Sequence, residues 1–348
     1  MSKSNTETSN RKKEHIKLCL TDKVSFKSKT NGFDKYEFIH NALTEVDISK
    51  ISFKTKLFSK VIEFPFLISC MTGGTDESEK INERLAFIAE DLSLPIGVGS
   101  QRQALEDSNH HNSYKVIRAT AKSVPVFGNI GAAQLVQSKN LNDILSLISM
   151  LEADAFIVHL NPLQELLQKE GEPYFVGLLK QIEKLVRKSE VPIIIKEVGS
   201  GINKDSAKKL LNIGVKGIDV AGSGGTSWAG VELLRNKSTV TDFWDWGLPT
   251  SFCINEIYPL KKKYKFTLIG SGGINTANDV AIALALGSDL VASARIILQT
   301  LMKYDGEEAV KKLIVDWFEH LKKVMFLTGS QNLSELKKDK LIKKELLF

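Results

Sequence analysis

Four side chains that could do chemistry fall within seven residues: His159, Asn161, Gln164 and Glu165. They supply an imidazole, two carboxamides and a carboxylate at the end of the apolar run AFIV (155–158). Polar groups this dense beside an apolar segment are costly to bury unless something pairs with them. A loop that follows a strand is also where α/β enzymes carry their working residues. A lone His here would be read as closing a strand, with a polar helix start behind it; four such groups, echoed elsewhere in the chain, favour a site. Glu165 suits a hard cation such as Mg²⁺, which takes one or two carboxylates and fills its shell with substrate phosphate oxygens. Arg102, in GVGSQR (97–102), offers a fork for phosphate, and Arg11 and Lys12 can fold over the same place.

Two further groups differ in chemistry. GSGGTS (222–227), GSGGIN (270–275) and ASARI (292–296) are rich in small residues, which let backbone N–H groups approach an anion. One GSGG is explained by a tight turn; two, followed by a third small-residue segment, point to phosphate. The other group, MTGGT (71–75), Ser100, Asn129 and Lys196, combines hydroxyls, an amide, peptide-rich turns and one cation. Lys196 follows three isoleucines, so its ammonium needs an electron-rich partner. Either the edge of a planar heterocycle such as a flavin, or a salt bridge to Glu197 or another strand end, would serve.

The elements that must position these residues recur in a rhythm. Apolar β-rich segments occupy 65–71, 94–100, 124–130, 155–160, 191–198, 217–222, 266–272 and 290–296. Helical i, i+3, i+4 patterns fill most gaps, at 77–92, 142–153, 174–188, 204–214 and 276–287. Strand–helix alternation implies parallel strands with right-handed crossovers, and eight units make a (β/α)₈ TIM barrel of the α/β class, with its site at the C-terminal strand ends. A doubly wound sheet is the alternative, but it would concentrate its Gly-rich turn after the first strand. The pattern predicts disorder over 1–10, a single barrel domain over 11–330 with an arm at 11–20, a C-terminal helix over 306–329 and a Lys-rich tail over 331–348. Residues 31–63 read as a half-alternating leading segment. Trp228, Phe243, Trp244 and Trp246 lie in the long gap at 223–265, either as a satellite core or lining a lid.

Composition narrows the classes. A hydrophobic content of 43% and a charged content of 25% suffice for a large globular core. The net charge of +6 is spread mainly as Lys runs such as KKKYK, which suits an anionic small molecule better than nucleic acid. Three cysteines without CxxC spacing give neither a disulfide framework nor a zinc site. A polar N-terminus and the lack of a long apolar run predict a soluble cytoplasmic protein with no membrane partner.

The motifs RKKEHI, MTGGT, GVGSQR, HLNPLQE, KEVGSGI, GSGGTSWAGVE, DWGLPT and GSGGI, in this order from about Arg11 to Gly329, resemble the FMN-dependent type 2 isopentenyl-diphosphate delta-isomerase family. HLNPLQE and GVGSQR are specific; GSGGI is shared by many flavin barrels. The resemblance implies conversion of isopentenyl diphosphate to dimethylallyl diphosphate in isoprenoid biosynthesis, with reduced FMN as acid and base. It also implies NADPH or NADH as reductant, Mg²⁺ on the diphosphate, and a homo-oligomer, tetramer or octamer. It assigns FMN contacts to Met71, Thr72, Gly73, Ser100, Asn129, Lys196, Thr226, Gly273, Ile274, Asn275, Ala294 and Arg295. Substrate contacts fall to Arg11, Lys12, Ser100, Gln101, Arg102, His159, Asn161 and Gln164, the metal to Glu165, and catalytic roles to His159, Gln164 and Lys196. Ala221 and Asn275 depart from the family pattern, where Ser and Arg are common, and each weakens a phosphate contact. The rival on the same barrel is an FMN-dependent 2-hydroxy-acid oxidase or dehydrogenase. It would need a His base, and the loop AGSGGTSWAG (221–230) has none.

Overall fold

Eight parallel strands close into a barrel in sequence order, each bonded to the next and the last to the first. They are β1 (Phe66–Ile68), β2 (Ile96–Gly97), β3 (Val126–Gly131), β4 (Ala155–Leu160), β5 (Ile193–Glu197), β6 (Gly217–Asp219), β7 (Thr267–Ser271) and β8 (Leu290–Ser293). This computed structural model describes residues 3–239, 241–303 and 306–347. Every strand falls on one of the eight apolar segments. Alternation along each strand divides its residues between two cores. Ile157, Ile194, Ile269 and Leu67 fill the barrel interior, whereas Phe156, Val158, Ile193, Ile195 and Val291 face the surrounding helices. The expected helices are present, for instance Asp76–Asp91, Leu141–Leu151, Lys204–Asn212 and Glu307–Leu327. Thr75 and Thr276 cap theirs by accepting a backbone N–H from the first turn.

The leading segment does more than connect. A hairpin, Thr55–Leu57 with Lys60–Ile62, sends Leu57 and Ile62 into the barrel's interior core. Tyr36–Phe38 pairs antiparallel with Leu341–Lys343, so the Lys-rich tail is anchored through Lys343 to the first third of the chain. Met1 and Ser2 lie outside the described residues, as does Phe348. From Lys3 the backbone is helical to Cys19, where disorder was expected through residue 10; polar residues without apolar spacing gave no periodic signal there. No helix among the described residues is long and apolar enough to cross a membrane.

Candidate active site

The C-terminal strand ends and the arm helix Lys3–Cys19 enclose a cavity of about 270 Å³. All the site residues expected from sequence line it except Gln101 and Ile274. Gln101 is fully buried beneath the site: its Nε2 donates to Leu147 O at 3.2 Å and its Oε1 accepts from Asn129 N at 2.9 Å. Ile274 belongs to the outer core, and its carbonyl accepts from Ser293 Oγ at 2.8 Å.

Strand register builds the centre of the site. His159 pairs with Lys196, and Lys196 with Asp219, so the three form one row across β4, β5 and β6. Lys196 Nζ lies 3.1 Å from Asp219 Oδ2, while Asp219 Oδ1 accepts from Ser271 Oγ at 2.5 Å. The salt bridge left open by the sequence is therefore made to another strand end. Glu197 serves a separate purpose: its Oε2 accepts backbone N–H groups from Val198, Gly199, Ser200 and Gly201, shaping the turn after β5. Burial raises the Glu197 carboxyl to about 7, against the pull of those donors and of Lys196.

His159 Nδ1 is 2.9 Å from Asn129 Oδ1, and Asn129 Nδ2 donates to Val98 O at 3.2 Å. With the amide so oriented, His159 carries its proton on Nδ1 and keeps the Nε2 lone pair free. Burial, then the charge of Lys196, lowers its pKa to about 4, so the ring is neutral at physiological pH.

At one end of the cavity, two glycine turns interlock. A Cβ on Gly225 would sit 2.7 Å from Gly273 N, and one on Gly272 only 2.1 Å from Gly222 O. Gly272 and Gly273 have φ of 99° and 75°, which glycine adopts without strain. Asn31, which drew no attention in the sequence, fastens this end through Nδ2 to Gly273 O at 2.7 Å. Arg295 opens the helix Arg295–Lys303 and donates to Ser25 Oγ at 2.9 Å.

The other end is cationic. Arg11, Lys12 and His15 descend from the arm helix. Lys12 Nζ donates to Gly73 O (2.6 Å), Tyr114 Oη (3.0 Å) and Ser100 O (3.3 Å), tying the arm to the turns after β1 and β2. Burial, followed by the neighbouring Arg11, pulls its pKa to about 7. Arg102 is held by Glu106 at 2.9 Å and Glu172 at 3.2 Å. Glu165, nearly fully buried, accepts from Asn161 Nδ2 at 2.9 Å and from Glu172 N at 2.8 Å. That leaves Asn161 Oδ1 buried with no partner. Among the described residues no three His, Cys, Asp or Glu side chains cluster as a metal site.

Sequence reading missed Glu232 as a site component, although the acid in WAGVELL is the only charge in an apolar helical stretch. Fully buried, Glu232 Oε1 meets His15 Nε2 at 2.9 Å and Gln164 Nε2 at 3.2 Å. The four aromatics divide their roles. Trp228 lines the cavity, edge-on to His15 at 5.1 Å. Trp244 is buried, with Nε1 on Ser25 O, whereas Phe243 and Trp246 form an exposed T-shaped pair.

The sequence profile of the FMN-dependent dehydrogenase family matches residues 162–343, more than half of the chain. An isopentenyl-diphosphate delta-isomerase of Pelodictyon phaeoclathratiforme is 41% identical, over 98% of this chain and 99% of its own. One from Nostoc sp. is 43% identical over 95% of both chains. Among solved structures, a mandelate oxidase variant with benzaldehyde superposes with a TM-score of 0.67 at 15% identity, covering 97% of each chain. The flavin-binding domain of baker's yeast flavocytochrome b2 gives 0.68 at 20% identity, covering 92% of this chain and 79% of its own. At those identities the likeness is one of fold. The long, closely similar matches identify more than a fold: on the FMN-dependent dehydrogenase barrel, this chain belongs to the isopentenyl-diphosphate delta-isomerase family.

Proposed function

We infer that this chain converts isopentenyl diphosphate to dimethylallyl diphosphate, using reduced FMN, Mg²⁺ and a nicotinamide nucleotide, NADPH or NADH, as reductant. Family membership supports the reaction, and the family profile supports the flavin. One observation carries the reading furthest: a single cavity sets a glycine cradle against a cationic end. A phosphorylated cofactor and a diphosphate substrate need such a pair of anion sites.

The residues fit a flavin. Gly225, Gly272 and Gly273 let two turns pack backbone against backbone at the cavity wall, where a Cβ would strike the facing turn, and Arg295 and Lys196 add cations to the same lining. Reduced FMN would supply the proton addition and removal that shift the double bond. Arg11, Lys12, Arg102 and Asn161, with Ser100, would bind the diphosphate. His159, neutral with Nε2 bare, would have to take up a proton before donating to it, which a neighbouring anion favours. Glu165 and the unpartnered Asn161 Oδ1 offer oxygens of the kind Mg²⁺ prefers. Gln164, braced on Glu232, would orient the alkene. Binding energy from the remote diphosphate would position an otherwise unreactive hydrocarbon. On the family resemblance we also propose a cytoplasmic homo-oligomer, a tetramer or octamer, which sedimentation would size.

The test is anaerobic incubation of the FMN-loaded protein with NADPH, Mg²⁺ and isopentenyl diphosphate, scoring acid-labile dimethylallyl product. A folded, flavin-loaded preparation that forms none overturns the assignment.

A further inference from the structure

Arg235 ends the helix Trp228–Arg235 and does not line the cavity, yet its side chain is only 8% exposed. Its guanidinium serves three carboxylates on three elements. Nε donates to Glu14 Oε2 at 2.9 Å, Nη2 to Glu170 Oε1 at 3.3 Å, and Nη1 to Glu232 Oε2 at 2.5 Å. Glu14 belongs to the arm helix, one residue from His15 and one turn from Arg11. Glu170 follows the short helix Pro162–Leu167 that carries Gln164 and Glu165. Glu232 is the fully buried acid on which His15 and Gln164 converge.

Without the guanidinium, three acids would face one another across this junction. The Glu14 bond alone is a surface contact of small worth, since that side chain is 59% exposed. The Glu232 bond is different, because a buried carboxylate stripped of its cation is strongly destabilised. Only a planar fork with several donors can hold the three together.

We propose that Arg235 is a positioning residue that seats the arm helix over the cavity and fixes the carboxylate bracing Gln164. The proposal rests on the reading that Arg11, Lys12 and Gln164 meet a diphosphate substrate. It acts on binding groups shared by ground and transition states, so its loss falls on KM more than on kcat. The groups facing Glu232 are His15, Arg11 and Cys19 from the arm, Gln164 from the helix after β4, and Arg235 itself. Removing Arg235 takes away a cation that favours ionised Glu232, so the acid limb of the pH profile moves to higher pH.

The experiment compares FMN-loaded wild type with Arg235→Met, Arg235→Lys and Glu14→Gln. It reads kcat and KM for isopentenyl diphosphate, the FMN dissociation constant by flavin fluorescence, and hydrogen exchange of residues 11–19. For Arg235→Met we expect KM to rise about tenfold or more, the acid limb to shift up, arm exchange to quicken and FMN affinity to hold. Arg235→Lys should recover part of the KM, and Glu14→Gln should quicken arm exchange without moving the pH profile. Wild-type KM and arm exchange in a folded Arg235→Met protein overturn the proposal. So does faster exchange spread evenly over the barrel strands with FMN lost, which marks Arg235 as merely structural. Should the wild type itself fail to turn over isopentenyl diphosphate, the functional assignment falls, and the arm-exchange comparison still decides whether Arg235 seats the arm.

Discussion

Lys196 and Asp219 occupy matched positions on adjacent barrel strands, and their charged atoms approach to 3.1 Å. Asp219 has no exposure, and its Oδ2 finds an ion-pair partner without a well-aligned hydrogen bond. Asp219→Asn leaves the ammonium in a buried row beside His159 without its direct ion-pair partner. Urea unfolding should show a loss of about 3–5 kcal/mol, the usual cost of breaking such a pair. The double variant Lys196→Met with Asp219→Leu should lose less than the two single changes together; strict additivity would mean the pair is not coupled.

His159 makes stability depend on pH. Its folded pKa of about 4 lies below the ordinary 6.5, so the unfolded chain binds the proton first as pH falls. Its contribution is fully present above 6.5 and fades towards 4, at up to about 1.4 kcal/mol per pH unit. Glu197, raised to about 7, runs the other way, its contribution fading as pH rises through 7. The difference between wild type and His159→Phe isolates the histidine: urea midpoints measured from pH 4 to 7 should converge at the acid end. A constant gap would show that His159 titrates normally.

Glu172 stands where an anion would. It accepts from Arg102 Nη1 at 3.2 Å and from Gln134 Nε2 at 3.2 Å, and both donors line the cavity. Glu172→Gln keeps the backbone N–H that caps Glu165 and frees Arg102 from one of its two acids. Calorimetry with inorganic pyrophosphate should report affinity increased roughly fivefold, the scale of a half-exposed ion pair. Unchanged or weaker binding would place the anion elsewhere.

Glu165→Gln removes a charge while preserving shape. We expect turnover to collapse and Mg²⁺ dependence to weaken while FMN affinity is largely retained, since the flavin's glycine cradle lies at the other end of the cavity. Loss of FMN with the substitution would assign Glu165 a structural task.

The barrel was legible because its signal is periodic: isoleucine, valine and phenylalanine runs mark each strand, and helical spacing marks the gaps. His159, Lys196 and Arg102 were legible as polar groups at the ends of those runs. Glu232, Asp219 and Asn31 were not, since each acts through a distant partner that only closure of the barrel brings near. Gln101 misled for the same reason: its motif names the loop, whereas register and packing decide which side chain turns inward. The start of the arm helix, residues 3–10, gave no signal because its polar sequence carries no apolar spacing.

The pairing of Tyr36–Phe38 with Leu341–Lys343 bears on how the protein is made. Synthesis proceeds from the N-terminus, so the early strand emerges some three hundred residues before its mate. Until that mate emerges its pairing edge is open, and all eight barrel strands are synthesised before it. The seam can therefore be fastened only after residues 341–343 have left the ribosome.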